Sequence, residues 1–141
     1  MTGKVPQIAR RAPGPILIID DEPDVRSVLK AQLESMGYTV DEAPDAETGF
    51  AMARSGRYTL AFLDIMMPGI DGIEAARKIR QVAPNTRQVF ITASTDNETF
   101  QRAVSSDSFT DGFLNKPLTL AEVARCVEVV LEKKGKFLHV L

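Results

Sequence analysis

The stretch Leu60-Ala61-Phe62-Leu63-Asp64-Ile65-Met66-Met67-Pro68-Gly69-Ile70-Asp71-Gly72-Ile73-Glu74 contains one whole passage from strand to helix. Leu60 to Leu63 is an unbroken apolar run, as expected of a strand covered on both faces, which has no solvent side to alternate with. Asp71 and Glu74 form a capping box, in which two side chains satisfy backbone N–H groups left without partners at a helix start. Between the two, at the carboxyl end of the strand, stands a carboxylate, Asp64, with Pro68 four residues on.

The same pattern recurs outward in both directions. Ile16 to Ile19, Val89 to Ile91 and Phe113 to Leu114 are further continuous apolar runs, spaced with amphipathic stretches between them at the rhythm of βα units around a parallel sheet. Tyr38 to Ala43 differs, because Val40 sits between Thr39 and Asp41, and this alternation marks a less buried edge strand. Helical spacing appears in Val25, Val28, Leu29 and Met36, and again in Leu120, Val123, Ala124, Val127 and Leu131. Pro23 suits a first helical turn, and Thr95 with Glu98 and Thr119 with Glu122 repeat the capping box. An edge strand in second place and right-handed crossovers leave one main arrangement: an α/β fold with a doubly wound, five-stranded parallel sheet in the order 2-1-3-4-5, a flavodoxin-like three-layer sandwich. Residues 1–14 are expected to form a flexible arm, residues 15–134 the domain, and residues 135–141 a tail that the domain does not need.

Bulk properties narrow the function classes. At 141 residues the chain suits one compact domain, and its net charge of -2 offers no general attraction to nucleic acid or to an anionic membrane. Cys126 is a lone cysteine in the apolar register of the last helix, so packing is its expected role and a reducing cytoplasm its expected setting. Lys4, Arg10 and Arg11 precede no apolar core long enough for a signal peptide, and no later stretch approaches membrane-spanning length. His139, in the tail, is expected to be exposed and without a catalytic part.

In an open α/β sheet, ligands bind beyond the carboxyl ends of the strands where strand order reverses, here between the first and third strands. Strand 1 ends in Asp20-Asp21-Glu22, strand 3 in Asp64, strand 4 in Thr92 and strand 5 in Lys116, whereas strand 2, on the far side, ends in Ala43. Asp20, Asp21 and Asp64 would share one shallow pocket, and each like-charged pair about 4 Å apart costs about 4 kcal/mol at an effective dielectric of 20. Such a cluster calls for a hard divalent cation, and Mg²⁺ keeps enough of its shell open for a phosphoryl oxygen. Lys116 then supplies a positive charge and Thr92 a hydroxyl donor, leaving Asp64 as the nucleophile of an acyl-phosphate chemistry. Each residue also has an ordinary reading. Asp21 alone is equally a helix cap ahead of Pro23, Thr92 a turn hydroxyl, and Lys116 a solvated charge. It is their joint occurrence at successive strand ends that favours the chemical reading.

The segments Ile18-Ile19-Asp20-Asp21-Glu22, Leu63 to Gly72, Ile91-Thr92-Ala93 and Lys116-Pro117 resemble, in order and spacing, the four signatures of response-regulator receiver domains of bacterial two-component systems. The resemblance covers about residues 15–134 and implies a signalling phosphoacceptor, not an enzyme acting on other substrates. Asp64 would take a phosphoryl group from the phosphohistidine of a sensor histidine kinase or phosphotransfer protein. Asp21, Asp64 and the backbone carbonyl of Met66 would bind Mg²⁺ directly and Asp20 through water. Thr92 would move toward the phosphoryl group, Lys116 would pair with it, and the Lys116-Pro117 peptide would be cis. Phe113 would be the aromatic that follows the switch, and the fourth helix, fifth strand and fifth helix would carry the signal to an output protein not yet identified, or to a second copy in a homodimer.

Three positions depart from the family pattern. Phe113 has no hydroxyl where tyrosine is common, so burial alone must select its inward state. Phe109-Thr110 replaces a small Gly-Ala step. Met66, two residues past the phosphoacceptor, has no polar group with which to hold an attacking water, from which slow self-dephosphorylation is expected. Met66 also stands where a haloacid-dehalogenase-type aspartyl-phosphate phosphatase, the alternative reading, carries its second acid. A flavin module of the same topology would need a hydroxyl-rich phosphate loop where Asp20-Asp21-Glu22 would repel an anion.

Overall fold

A computed structural model of the chain describes residues 14–93, 98, 101 and 110–138. Along the chain run β1 (Ile16–Ile19), α1 (Pro23–Ser35), β2 (Val40–Ala43), α2 (Ala46–Ala53), β3 (Leu60–Asp64), α3 (Gly72–Val82), β4 (Arg87–Thr92), β5 (Gly112–Asn115), α4 (Leu120–Val127), a π-helical turn (Glu128–Glu132) and β6 (Phe137–Leu138). Of the helix expected from Thr95 only Glu98 and Gln101 are among the described residues, both helical; Thr95 and Phe109 lie outside them, and the fifth helix of the sequence reading is labelled α4 here.

The pleat divides the core in two, since alternate residues of a strand face opposite sides. Ile16, Ile18, Leu60, Phe62, Val89, Ile91 and Leu114 pack under α1 and α4, against Leu29, Leu33, Val123 and Cys126. Leu17, Ile19, Ala61, Leu63, Phe90 and Phe113 face the other way, against Ala53 of α2 and Ile73, Ala76 and Ile79 of α3. With helices on both faces, every central strand is apolar on both sides, which is why its sequence does not alternate. At the edge, β2 buries Val40 and Ala43 and leaves Asp41 and Glu42 half-buried. There Glu42 pairs with Arg26 at 3.1 Å and Lys30 at 3.4 Å, and Asp41 with Arg57 at 2.6 Å.

Two caps stand where the sequence places them. The Asp71 carboxylate accepts from the Ile73 and Glu74 amides, and the Thr119 hydroxyl accepts from the Glu122 amide at 3.2 Å. The reading of Asp21 as a cap is not realised: Glu22 is the N-cap of α1, without a side-chain cap bond, and Pro23 opens the helix. Gly72 begins α3 so close to the end of β3 that a Cβ there would lie 2.3 Å from the Ile65 Cα. Only glycine lets this helix approach the strand that carries Asp64.

The expectation of five strands is corrected: among the described residues there are six, in the order β2-β1-β3-β4-β5-β6, all parallel. The extra strand comes from the segment read as a dispensable tail. After the π-helical turn, Lys134 adopts a positive φ of 54°, and the Gly135 amide closes onto the Val129 carbonyl at 2.9 Å. The chain thereby returns alongside β5, where the Phe137 amide donates to the Asp111 carbonyl at 2.9 Å. Phe137 is buried, with Arg125 5.6 Å over its ring. Two residues are too few for periodicity to register, so this strand is visible only through its tertiary partner.

Candidate functional site

Strand register builds the site. Ile19 pairs with Leu63, so the next residues, Asp20 and Asp64, emerge level at neighbouring strand ends. Asp64 pairs with Ile91, and Thr92 with Asn115, so Thr92 and Lys116 extend one step further along the same rim. The Lys116 amide donates to the Thr92 carbonyl at 2.8 Å, tying β5 to β4 at this point, and the Lys116-Pro117 peptide is cis as the sequence resemblance implies.

Local bonds fix the two central carboxylates. The Glu22 amide donates to Asp20 Oδ1 at 2.9 Å, and the Met66 amide to Asp64 Oδ1 at 2.8 Å. Each carboxylate thus keeps its Oδ2 toward the crevice. The Lys116 ammonium reaches Asp64 Oδ2 at 2.9 Å, Asp20 Oδ2 at 3.0 Å and Glu22 Oε1 at 2.7 Å. Asp20 and Asp64 are buried, while Asp21 is exposed at the mouth. Oxygens of Asp20, Asp21 and Asp64 lie within 4.8 Å of one another.

Electrostatics follow from this crowding. Burial raises the Asp20 pKa above the usual carboxylate range, and the Asp64 charge raises it further, against the lowering effect of the Glu22 amide and Lys116. Burial alone would lower the Lys116 pKa, but hydrogen bonds to Glu22 and Asp64 and the close Asp20 carboxylate overcome it and the ammonium is held well above its ordinary value. Asp20 Oδ2, though buried and within ion-pair distance of Lys116, has no partner in hydrogen-bond geometry. An unsatisfied buried carboxylate oxygen, facing two other acids in an all-oxygen donor set, fits a hard divalent cation.

The remaining expected residues take defined places. Thr92 is fully buried at the end of β4, and Phe113 is buried against the α2 and α3 side of the sheet. The Met66 side chain is 54% exposed, so no polar side chain stands over Asp64 from that position. Cys126 is buried, with its thiol pushed up to about 12 by desolvation, which suits packing and not reactivity. His139 lies outside the described residues. Two residues escaped the sequence reading. Glu22 gives both an amide to Asp20 and a carboxylate to Lys116; its place beside the paired acids was a signal, but the reach of its side chain was not. Arg26 donates to the Asp20 backbone carbonyl at 2.6 Å and so anchors the loop after β1; nothing in its spacing points there.

Residues 16–128 match the family described as the response regulator receiver domain. The chain belongs to that family. This receiver domain is 36% identical over 121 residues to the transcriptional regulatory protein ResD of Bacillus subtilis, a match covering 86% of this chain and 49% of ResD. It is 34% identical over 119 residues to the response regulator ArlR of Staphylococcus aureus, covering 84% of this chain and 53% of ArlR. The chain therefore spans about half the length of these curated relatives. Among solved structures, the response regulator TrrA of Thermotoga maritima in complex with Mg²⁺-BeF superposes with a TM-score of 0.73 at 34% identity, covering 84% of this chain and 99% of that one. Membership carries the phosphoacceptor role in two-component signalling and sets aside the haloacid-dehalogenase-type phosphatase. No helix among the described residues is long and apolar enough to cross a membrane.

Proposed function

We propose that Asp64 is the phosphoacceptor of this receiver domain, taking its phosphoryl group from a phosphohistidine on a sensor histidine kinase or a phosphotransfer protein. Asp64 Oδ2 attacks phosphorus, the P–N bond breaks, and the electron pair returns to the imidazole nitrogen, which ends protonated. Mg²⁺, the ion the oxygen donor set suits best, would be held by Asp20, Asp21, Asp64 and the Met66 carbonyl, with Asp20 acting through water. Bound there, it would supply positive charge to the transferring phosphoryl oxygens.

The chain's own groups do the rest. The Met66 amide holds Asp64 Oδ1 and so orients Oδ2 for attack. As Oδ2 becomes the bridging oxygen of the acyl phosphate it loses its charge, and the Lys116 ammonium pairs with a phosphoryl oxygen. Thr92 supplies a hydroxyl donor from the neighbouring strand end. The modification adds a charge of about -1.5 to -2, and the shifts of Thr92 and Lys116 that compensate it run through β4 and β5 to Phe113. The face formed by β5, the last helix and the helix expected before β5 is the surface on which an output protein, or a second copy of the chain, would read the state. Neither direct nucleic-acid contact nor a membrane is part of this role, and the lone buried thiol suits a cytoplasmic protein.

The observation that carries the reading is the 2.9 Å separation of Lys116 Nζ from Asp64 Oδ2 at the crevice. The test is binding of beryllofluoride, a mimic of the acyl phosphate, by wild type and by Asp64→Ala. Binding should need Mg²⁺ and vanish in the variant; no binding by wild type, wild-type binding without Mg²⁺, or binding by Asp64→Ala would overturn the assignment.

A further inference from the structure

The three carboxylates around Lys116 are not equivalent. Asp20 and Asp64 are buried and, with Asp21, form the group whose oxygens lie within 4.8 Å of one another. Glu22 makes the shortest contact, 2.7 Å, yet its side chain is 59% exposed, and among the described residues it is not part of that oxygen group. Its backbone is held, the amide by Asp20 Oδ1 at 2.9 Å and the carbonyl by the Arg26 amide at 3.1 Å. The nearby guanidinium of Arg26 is engaged elsewhere, by Glu42 and the Asp20 carbonyl. A fixed backbone under an exposed side chain leaves the Glu22 carboxylate free to swing without disturbing the strand ends.

A divalent ion among Asp20, Asp21 and Asp64 would draw on the same oxygens that now attract Lys116 and would repel its ammonium. Glu22 is then the partner left to Lys116. Resting on the phosphoacceptor reading above, we infer that Glu22 is a positioning residue that parks the Lys116 ammonium in the resting, metal-loaded state and surrenders it to the phosphoryl group on Asp64. Glu22 thus competes with the phosphoryl group for one cation and sets how readily the switch closes.

The competition has a sign. Glu22→Gln removes the competitor, so beryllofluoride at saturating Mg²⁺ should bind tighter by about two- to fivefold, the range of an exposed ion pair. Mg²⁺ alone should bind no tighter, because a negative charge near the cation has gone. Asp24→Asn, which deletes an acid on the adjoining groove wall shared with Lys116, controls for general electrostatics and should give a smaller gain. The Lys116 side-chain nitrogen NMR signal, in protein labelled at lysine, should differ between wild type and Glu22→Gln in the metal-free and Mg²⁺-loaded forms. The two signals should converge once beryllofluoride is bound. Failure of wild type to bind beryllofluoride overturns the phosphoacceptor reading and this inference with it. Wild-type binding with no gain in Glu22→Gln, an equal gain in Asp24→Asn, or signals that stay apart in the beryllofluoride form overturns the role of Glu22 alone.

Discussion

Lys116→Met keeps most of the side chain's apolar stem and deletes its charge. In the folded protein the ammonium lies 3.0 Å from Asp20 Oδ2 and 2.9 Å from Asp64 Oδ2, both on buried carboxylates. At an effective dielectric of 20, each contact is worth about 5–6 kcal/mol of gross Coulomb attraction. Most of this is cancelled by the desolvation the lysine no longer suffers, and removing one partner of a buried pair leaves a net loss of about 3–5 kcal/mol. The Glu22 contact, more than half exposed, adds at most about 1 kcal/mol. Without the ammonium, Asp20 and Asp64 repel each other across less than 4.8 Å, a cost of about 3 kcal/mol or more that partial protonation of Asp20 relieves. Urea unfolding at pH 7 in EDTA should therefore show Lys116→Met about 3–5 kcal/mol less stable than wild type, with a melting temperature lower by about 10–20 °C. Added Mg²⁺ should restore much of the loss, since the ion replaces the missing positive charge; at a hundred times its dissociation constant, a ligand returns about 2.7 kcal/mol. A variant within about 0.5 kcal/mol of wild type in EDTA would show that the carboxylates do not crowd the ammonium as described.

Asp20→Asn should act in the opposite direction. An acid whose folded-state pKa is raised adds stability below the ordinary carboxylate range and loses it as pH rises through the raised value. At pH 7 in EDTA the variant should be the more stable protein, the gap narrowing as pH falls toward 4, and a wild type that stays more stable at pH 7 would contradict the account. Met66→Asn supplies an amide where a thioether now stands, and a hydrogen bond of about 1 kcal/mol to the attacking water would shorten the acyl-phosphate lifetime about fivefold; equal lifetimes in a phosphoryl-loss assay would remove that argument. Gly72→Ala places a Cβ 2.3 Å from the Ile65 backbone, so several kcal/mol should be lost in chemical denaturation, and a neutral result would mean that α3 does not seat on β3. Phe137→Ala should cost about 2–3 kcal/mol, below the range of about 3–5 for a central phenylalanine because β6 is a sheet edge; a cost under about 0.5 kcal/mol would mean the sixth strand is not docked in solution.

The central strands, the caps at Asp71 and Thr119, the edge position of β2 and the strand-end placement of Asp20, Asp64, Thr92 and Lys116 were all legible in the amino-acid order. Burial pattern and capping act over a few residues, and a doubly wound topology turns strand ends into a common rim. The sixth strand was not legible, because Phe137 and Leu138 have no periodicity of their own and become a strand only where β5 offers an open edge. Nor was the choice between Asp21 and Glu22 at the start of α1, which depends on the loop path held by Arg26. The partners of Lys116 likewise required the fold. Position along the chain brings an ammonium to the rim, but which carboxylates it meets depends on strand register and side-chain reach across 94 residues. Sequence alone determined which chemical groups arrive at the crevice, since each is tied to its own strand end; only the tertiary structure decided which of them touch, since those contacts join segments with no local reason to meet.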